Sequence, residues 1–245
     1  MERKNFLRTF VVAAAAGPLV FEACKKDSTS TKTDTSTSTK STNGASCTVS
    51  PTETEGPFPY ASGEINNPLN RSDITGGQTG LPLTVNFLVV NVSDNCNVVT
   101  GARVDIWHCN KDGYYSGYGN QPGILGTKSY IGETWLRGYQ LTDSTGVAKF
   151  GTIYPGWYSG RATHIHMEVF VNGVLKKTTQ MTFSEAISDA VHVSALYKDH
   201  GVNTTRNTSD QVFGDSATDL ANETISLAGN LTDGYSGTFT IGISL

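Results

Sequence analysis

The dipeptide Asn172-Gly173 stands between two stretches, Thr163–Val171 and Val174–Phe183, that read as β-strands. A two-residue hairpin loop asks for positive φ at its central positions, which Asn and Gly tolerate best, so this pair commits the middle of the chain to antiparallel sheet. The same grammar recurs along the chain. Leu83–Val92 alternates between Pro82 and Ser93-Asp94-Asn95, and Ala102–His108 alternates again. Gln140-Leu141-Thr142 leads through Asp143-Ser144-Thr145-Gly146 into Val147–Ile153 as strand, turn, strand, and Thr238–Leu245 reads as a last strand. Only Ser184–His200 reads as helical, in one or two short pieces. The pattern predicts an all-β protein, a β-sandwich with long loops and no internal repeat.

Composition agrees and excludes other classes. The 245 residues include 26 Gly, and charged residues make up 16 %, which suits turn-rich sheet better than a helical bundle. The net charge of −4 and the lack of a basic stripe argue against a nucleic-acid partner. No apolar run reaches the length of about 18 residues that a membrane-spanning helix needs. The 4 Cys form no CxxC pair, which argues against a structural zinc site.

The N-terminus reads as an address. Arg3, Lys4 and Arg8 precede an apolar run from Thr9 to Phe21, and Ala23 precedes Cys24. Residues 1–23 thus predict an export signal, with Arg3-Lys4 in the manner of a relaxed twin-arginine start. Cys24 stands where a bacterial lipoprotein is cleaved and lipidated, although Phe21 and Glu22 depart from the usual residues there. An ordinary signal peptide cut nearby is the other reading, and both send the protein out of the cytoplasm. Loss of residues 1–23, with three basic and two acidic side chains, takes the net charge from −4 to −5. Residues 24–46 predict an anchor and a Ser/Thr-rich disordered stalk, since the segment has almost nothing to bury. Residues 47–245 are then one folded domain, held to the envelope only by the lipid anchor.

Within Thr163–Val171, alternation places His164, His166, Glu168 and Phe170 on one face and Ile165, Met167, Val169 and Val171 on the other. Two histidines two apart on a strand are roughly 7 Å apart at Cα, within reach of one metal ion. Taken alone, such a pair is more often two histidines on a polar face. The segment before it, Gly151 to Arg161, ends a strand at Pro155-Gly156 and carries Tyr158 and Arg161 towards the pair. A second aromatic loop, Asp105 to Gly117, contains Tyr114 and Tyr115. Most tyrosines pack or face solvent, but phenolates are hard anionic ligands suited to Fe(III). The residues alone leave a second iron chemistry open, in which His164, His166 and Glu168 form a two-His-one-carboxylate Fe(II) site.

The chain resembles the intradiol ring-cleavage dioxygenases. The matching pieces are Thr54-Glu55-Gly56-Pro57, VDIWHCNKDGYYSGY (104–118), WLRGYQLTD (135–143), FGTIYPGWYSGRATHIHMEVF (150–170) and TTQMTF (178–183). They run in family order across nearly the whole folded domain. The resemblance implies an immunoglobulin-like or transthyretin-like sandwich with one Fe(III) held by Tyr115, Tyr158, His164 and His166. It implies a catecholic substrate and O2 as partners, and a ring opened between its hydroxyls to a muconate-type diacid. Tyr158 would be displaced by substrate and take up a proton, and Arg161 would stabilise charge developing on the ring. Gln180 matches a pocket glutamine of the protocatechuate enzymes if the hairpin is one residue shorter here. No organic cofactor and no particular oligomeric state are implied.

The sequence departs from the cytoplasmic members in two ways. Only Ser159 and Gly160 separate Tyr158 from Arg161, and the Ser/Thr stalk stands where those members carry a helical dimerisation domain. Both point to an exported subgroup with a more open site. Glu168 is expected to be solvated or an outer neighbour of the ligands. His108 is expected beside Trp107, and His192 and His200 at the surface or a helix end. Cys96 and Cys109 flank one strand, and a bridge between them is favoured over one using Cys47. A reading from another class is an exported, non-catalytic transthyretin-like binding module, which would have no use for two tyrosines and two histidines together.

Overall fold

Alternating burial along Pro82–Asn91 (β1) shows how this chain makes sheet: Leu83, Val85, Phe87 and Val89 turn inward while Pro82, Thr84, Asn86 and Leu88 stay half-buried or exposed. The structure, a computed structural model, describes residues 48–60 and 69–245. After β1 come Asn97–Val98 (β2), Arg103–Trp107 (β3), Arg137–Leu141 (β4), Val147–Ile153 (β5), His164–Val171 (β6) and Val174–Phe183 (β7). Glu185–His192 (α1) and Ala217–Glu223 (α2) are followed by Thr224–Ile225 (β8), Leu227–Asn230 (β9) and Gly234–Ile243 (β10). The strands form two five-stranded mixed sheets. In one, β1 pairs in parallel with β10, and both β5 and β2 run antiparallel to β1. The other has the order β4-β3-β6-β7-β8.

The two sheets close on a shared apolar core that includes Phe87, Phe150, Ile165, Met167, Met181 and Ile241. Each such side chain contributes on the order of 1.5–3 kcal/mol when fully buried, which fixes the facing of β6. With Ile165, Met167 and Val169 in the core, His164, His166 and Glu168 point out of the sandwich. The β6–β7 connection is the expected Asn172-Gly173 turn, with φ of 52° and 74°.

The fold is the all-β sandwich expected, with strand positions close to those read from the pattern. Four small elements were not foreseen: β2, α2, β8 and β9. The last three follow a polar, Asn/Thr/Ser-rich stretch with little periodicity. The expected Cys96–Cys109 bridge is not formed. Cys109 is a free, buried thiol, whereas Cys96 is disulfide-bonded to a partner outside the described residues. The reason is geometric. Cys96 lies just before β2, in the sheet of β1, whereas Cys109 follows β3, in the other sheet, and is packed with Trp107 and Tyr115. The alternative partner Cys47, the export signal, the anchor Cys24 and the stalk lie outside the described residues.

Candidate functional site

The outward face of β6 is not open to water. His164, His166 and Glu168 are each no more than 2 % exposed, because segments from elsewhere in the chain cross over them. Residues 48–60 form a strap, tied by Glu53 N donating to Thr178 O at 3.0 Å. At Gly56 (φ 73°) the strap comes so close that a Cβ would sit 2.8 Å from His166 Cε1. Glycine is required there both for the conformation and for the approach. Phe58 then stacks on Tyr115, with centroids 4.6 Å apart, and meets Tyr158 edge-on at 6.0 Å.

Two loops deliver the tyrosines. After β3, Asn110 Oδ1 accepts from the N–H groups of Asp112 and Tyr114. Gln121 clamps the next residue, accepting from Tyr115 N at 2.7 Å and donating to Tyr115 O at 2.8 Å. After β5, Gly156 N donates to Asn110 O, which joins the two loops. A turn closed by Arg161 N on Tyr158 O then returns the chain to β6. Tyr114 faces away, donating to Gly126 O.

Four polar atoms meet as a result. Tyr115 Oη lies 3.3 Å from His164 Nε2 and 3.1 Å from His166 Nε2. Tyr158 Oη lies 3.4 Å from His164 Nε2, and the two imidazole Nε2 atoms are 3.0 Å apart. His164 Nδ1 sits 2.6 Å from the Ala162 carbonyl. A carbonyl only accepts, so Nδ1 bears the proton and Nε2 of the neutral ring presents a lone pair. Burial first, then Arg161, pushes His164 down to about 3, and burial with His164 holds His166 well below the ordinary range. Both rings are therefore neutral near pH 7, the state in which imidazole ligates. Burial raises both phenols, while Arg161 pulls both back and Arg137 also pulls on Tyr115. Two neutral imidazoles and two phenols that a nearby cation would acidify fit a hard trivalent ion.

His166 is oriented by packing. Its Nδ1 is buried without a hydrogen-bond partner among the described residues, Trp107 stacks on its ring, and Gly56 abuts its Cε1 edge. Arg161, 4 % exposed, donates from Nη2 to Gln180 Oε1 at 2.7 Å, and Gln180 Nε2 donates to Thr54 O at 2.8 Å. Gln180 pairs with His166 in the β6–β7 register. All six residues singled out in the sequence thus lie in one neighbourhood.

Other expectations change. Glu168 is not solvated: it is buried and accepts from Thr178 Oγ1 at 3.0 Å. His192 does end α1, but neither it nor His200 is at the surface. His108 is buried beside Trp107 and bridges Cys109 O and Thr152 Oγ1. Sequence reasoning gave no role to Trp107, to Phe58 of the strap, or to Arg137, whose guanidinium ties Phe58 O and Pro59 O to Ser116 O. Their signal was the motif context alone. Asp210, the ion-pair partner of Arg161 at 2.9 Å, had no signal at all.

The family model described as Dioxygenase matches residues 54–227, which takes in the strap, both loops and the β6–β7 hairpin. Catechol 1,2-dioxygenase 1 of Acinetobacter lwoffii is 27 % identical over 149 residues, 54 % of this chain and 45 % of that protein. The chain thus spans less than half the length of that curated relative. Among solved structures, an intradiol ring-cleavage dioxygenase from Tetranychus urticae is 29 % identical, with a TM-score of 0.70 over 81 % of this chain and 95 % of that one. The dioxygenase domain of a carbohydrate-binding fusion from Streptomyces sp. SirexAA-E shares the fold at 24 % identity, with a TM-score of 0.58 over 81 % of this chain and 99 % of that one. With a family match that runs from the strap to β9, the chain belongs to the intradiol ring-cleavage dioxygenases.

Proposed function

We propose that this protein is an Fe(III)-dependent intradiol dioxygenase that opens a catecholic ring between its two hydroxyls, placing both atoms of O2 in a muconate-type diacid. The observation that carries the reading is the convergence of Tyr115 Oη, Tyr158 Oη, His164 Nε2 and His166 Nε2, with neighbouring pairs 3.0–3.4 Å apart. These residues would hold the iron, which would supply the Lewis-acid chemistry that makes a catecholic ring reactive towards O2.

The chain's own groups divide the remaining work. Tyr115 is fully buried and clamped by Gln121, so it stays in place. Tyr158 is only partly buried and, as the phenolate that a bound ferric ion would stabilise, is the side chain free to move and accept a proton from the incoming catechol at Oη. Arg161 offers a fixed positive charge beside Tyr158, where negative charge develops on the substrate. Phe58 and the strap exclude water from the imidazoles. The disulfide at Cys96 suits an oxidising compartment, which supports an exported enzyme; its anchoring through Cys24 rests on the sequence alone.

The test is to load purified protein with Fe(III) and follow colour, O2 uptake and product with catechol, protocatechuate and hydroxyquinol. A visible tyrosinate absorption, with one O2 consumed per ring-opened diacid, is expected for at least one of them. A colourless protein that refuses Fe(III) would return the chain to the binding-module reading.

A further inference from the structure

We propose that Asp210 is a positioning residue of this site, its one oxygen Oδ2 fixing both the guanidinium of Arg161 and the residue that orients His164. The inference rests on the intradiol reading above. Asp210 Oδ2 accepts from Arg161 Nε at 2.9 Å and from Ala162 N at 2.6 Å. The Ala162 carbonyl in turn takes the Nδ1 proton of His164 at 2.6 Å. A single carboxylate oxygen is therefore one residue removed from the imidazole tautomer and in direct contact with the site's cation.

The geometry is rigid at both ends. Asp210 Oδ1 accepts from Val212 N at 2.8 Å and Phe213 N at 3.3 Å, so the carboxylate cannot rotate without losing four hydrogen bonds. Arg161 is held at a second nitrogen by Gln180, and its carbonyl accepts from Asn203 Nδ2 at 2.8 Å. The ion pair is out of water, with side-chain exposures of 5 % for Arg161 and 0 % for Asp210. Charge-assisted bonds in such surroundings fix direction as well as charge. Two of the four bonds close Asp210's own turn, but the other two reach across to the segment that enters β6. A carboxylate that only shaped its own loop would have no need of those.

The experiment begins with the iron-loaded wild type, whose colour and ring opening test the intradiol reading independently of Asp210. Asp210→Asn is then compared with it for far-UV dichroism, Fe(III) affinity by chelator competition, the visible tyrosinate band, and kcat and KM separately. The variant is expected to fold and bind Fe(III) with a shifted band, and to lose about 10²-fold in kcat with a much smaller change in KM. In the double variant Arg161→Gln/Asp210→Asn the two losses in kcat should fall well short of multiplying, because one residue acts through the other. If Asp210→Asn does not accumulate as folded protein, Asp210→Glu, which keeps the charge but displaces it, is read in the same way. A wild-type band and kcat in the folded variant, or losses that multiply in the double variant, would overturn the proposal.

Discussion

The indole of Trp107 lies flat against the imidazole of His166, with centroids 5.1 Å apart and planes 5° from parallel. The pairing of β3 with β6 sets these two residues opposite one another. Trp107 is fully buried and its Nε1 has no partner among the described residues. Trp107→Ala should therefore cost about 3–5 kcal/mol in unfolding free energy and weaken Fe(III) binding, while Trp107→Phe keeps a stacking ring and loses less of both. Denaturation curves and an iron titration check this. Undiminished iron affinity in Trp107→Ala would show that the indole does not orient His166.

Gly56 touches the same imidazole at its Cε1 edge. An added Cβ meets His166 Cε1 at 2.8 Å from a backbone with φ of 73°. Gly56→Ala should raise the dissociation constant for Fe(III) and lower kcat by about tenfold or more, as expected when a ligand's support shifts. Its stability should fall by about 2–5 kcal/mol, the left-handed conformation and the overpacking against the buried His166 together. A thermal melt beside the iron titration separates the two effects.

The two adjacent tyrosines of the β3 loop should behave differently from one another and from Tyr158. Tyr158→Phe and Tyr115→Phe should each change the visible spectrum of the iron-loaded protein. Tyr114→Phe, which loses only the bond to Gly126 O, should leave the spectrum alone and cost about 1 kcal/mol. A spectrum altered by Tyr114→Phe and not by Tyr115→Phe would reverse the ligand assignment.

Acid should draw stability from the iron-free protein through its buried histidines. Burial holds His108 and His192 each down to about 4, against about 6.5 when unfolded. Between those values the unfolded chain binds protons that the folded chain cannot, so stability is fully present above about pH 6.5 and falls as pH drops towards 4. The loss from pH 7 to pH 5 should be on the order of 1–2 kcal/mol for each histidine. Urea denaturation at the two pH values measures it, and His192→Gln should flatten the dependence. Glu223, which burial raises to about 8, contributes in the opposite sense in both proteins, so a pH dependence that His192→Gln leaves unchanged is the result that would contradict the neutral, buried state.

If Cys24 is the lipid anchor, Cys24→Ser should move the protein from the membrane fraction to the soluble exported fraction without changing iron binding or turnover. A variant that fractionates like the wild type would remove the anchor from the account.

The sequence by itself determined the strands, the Asn172-Gly173 hairpin and the facing of β6, because strand period and turn chemistry are local properties. It also placed two tyrosines, two histidines and an arginine at spacings that bring them to the ends of neighbouring strands. Only the tertiary structure decided that the outward face of β6 is roofed, since the strap lies more than a hundred residues earlier in the chain and covers the histidines through packing. The same non-local contacts buried Glu168 and enclosed Cys109 as a free thiol with Trp107 and Tyr115, while Cys96 stayed beside β2 in the other sheet. They also brought Asp210 out of an unpatterned polar stretch onto Arg161. A carboxylate in such a stretch looks like any solvated aspartate until the fold removes the water and supplies the cation, which is why no reading of the residues in order could single it out.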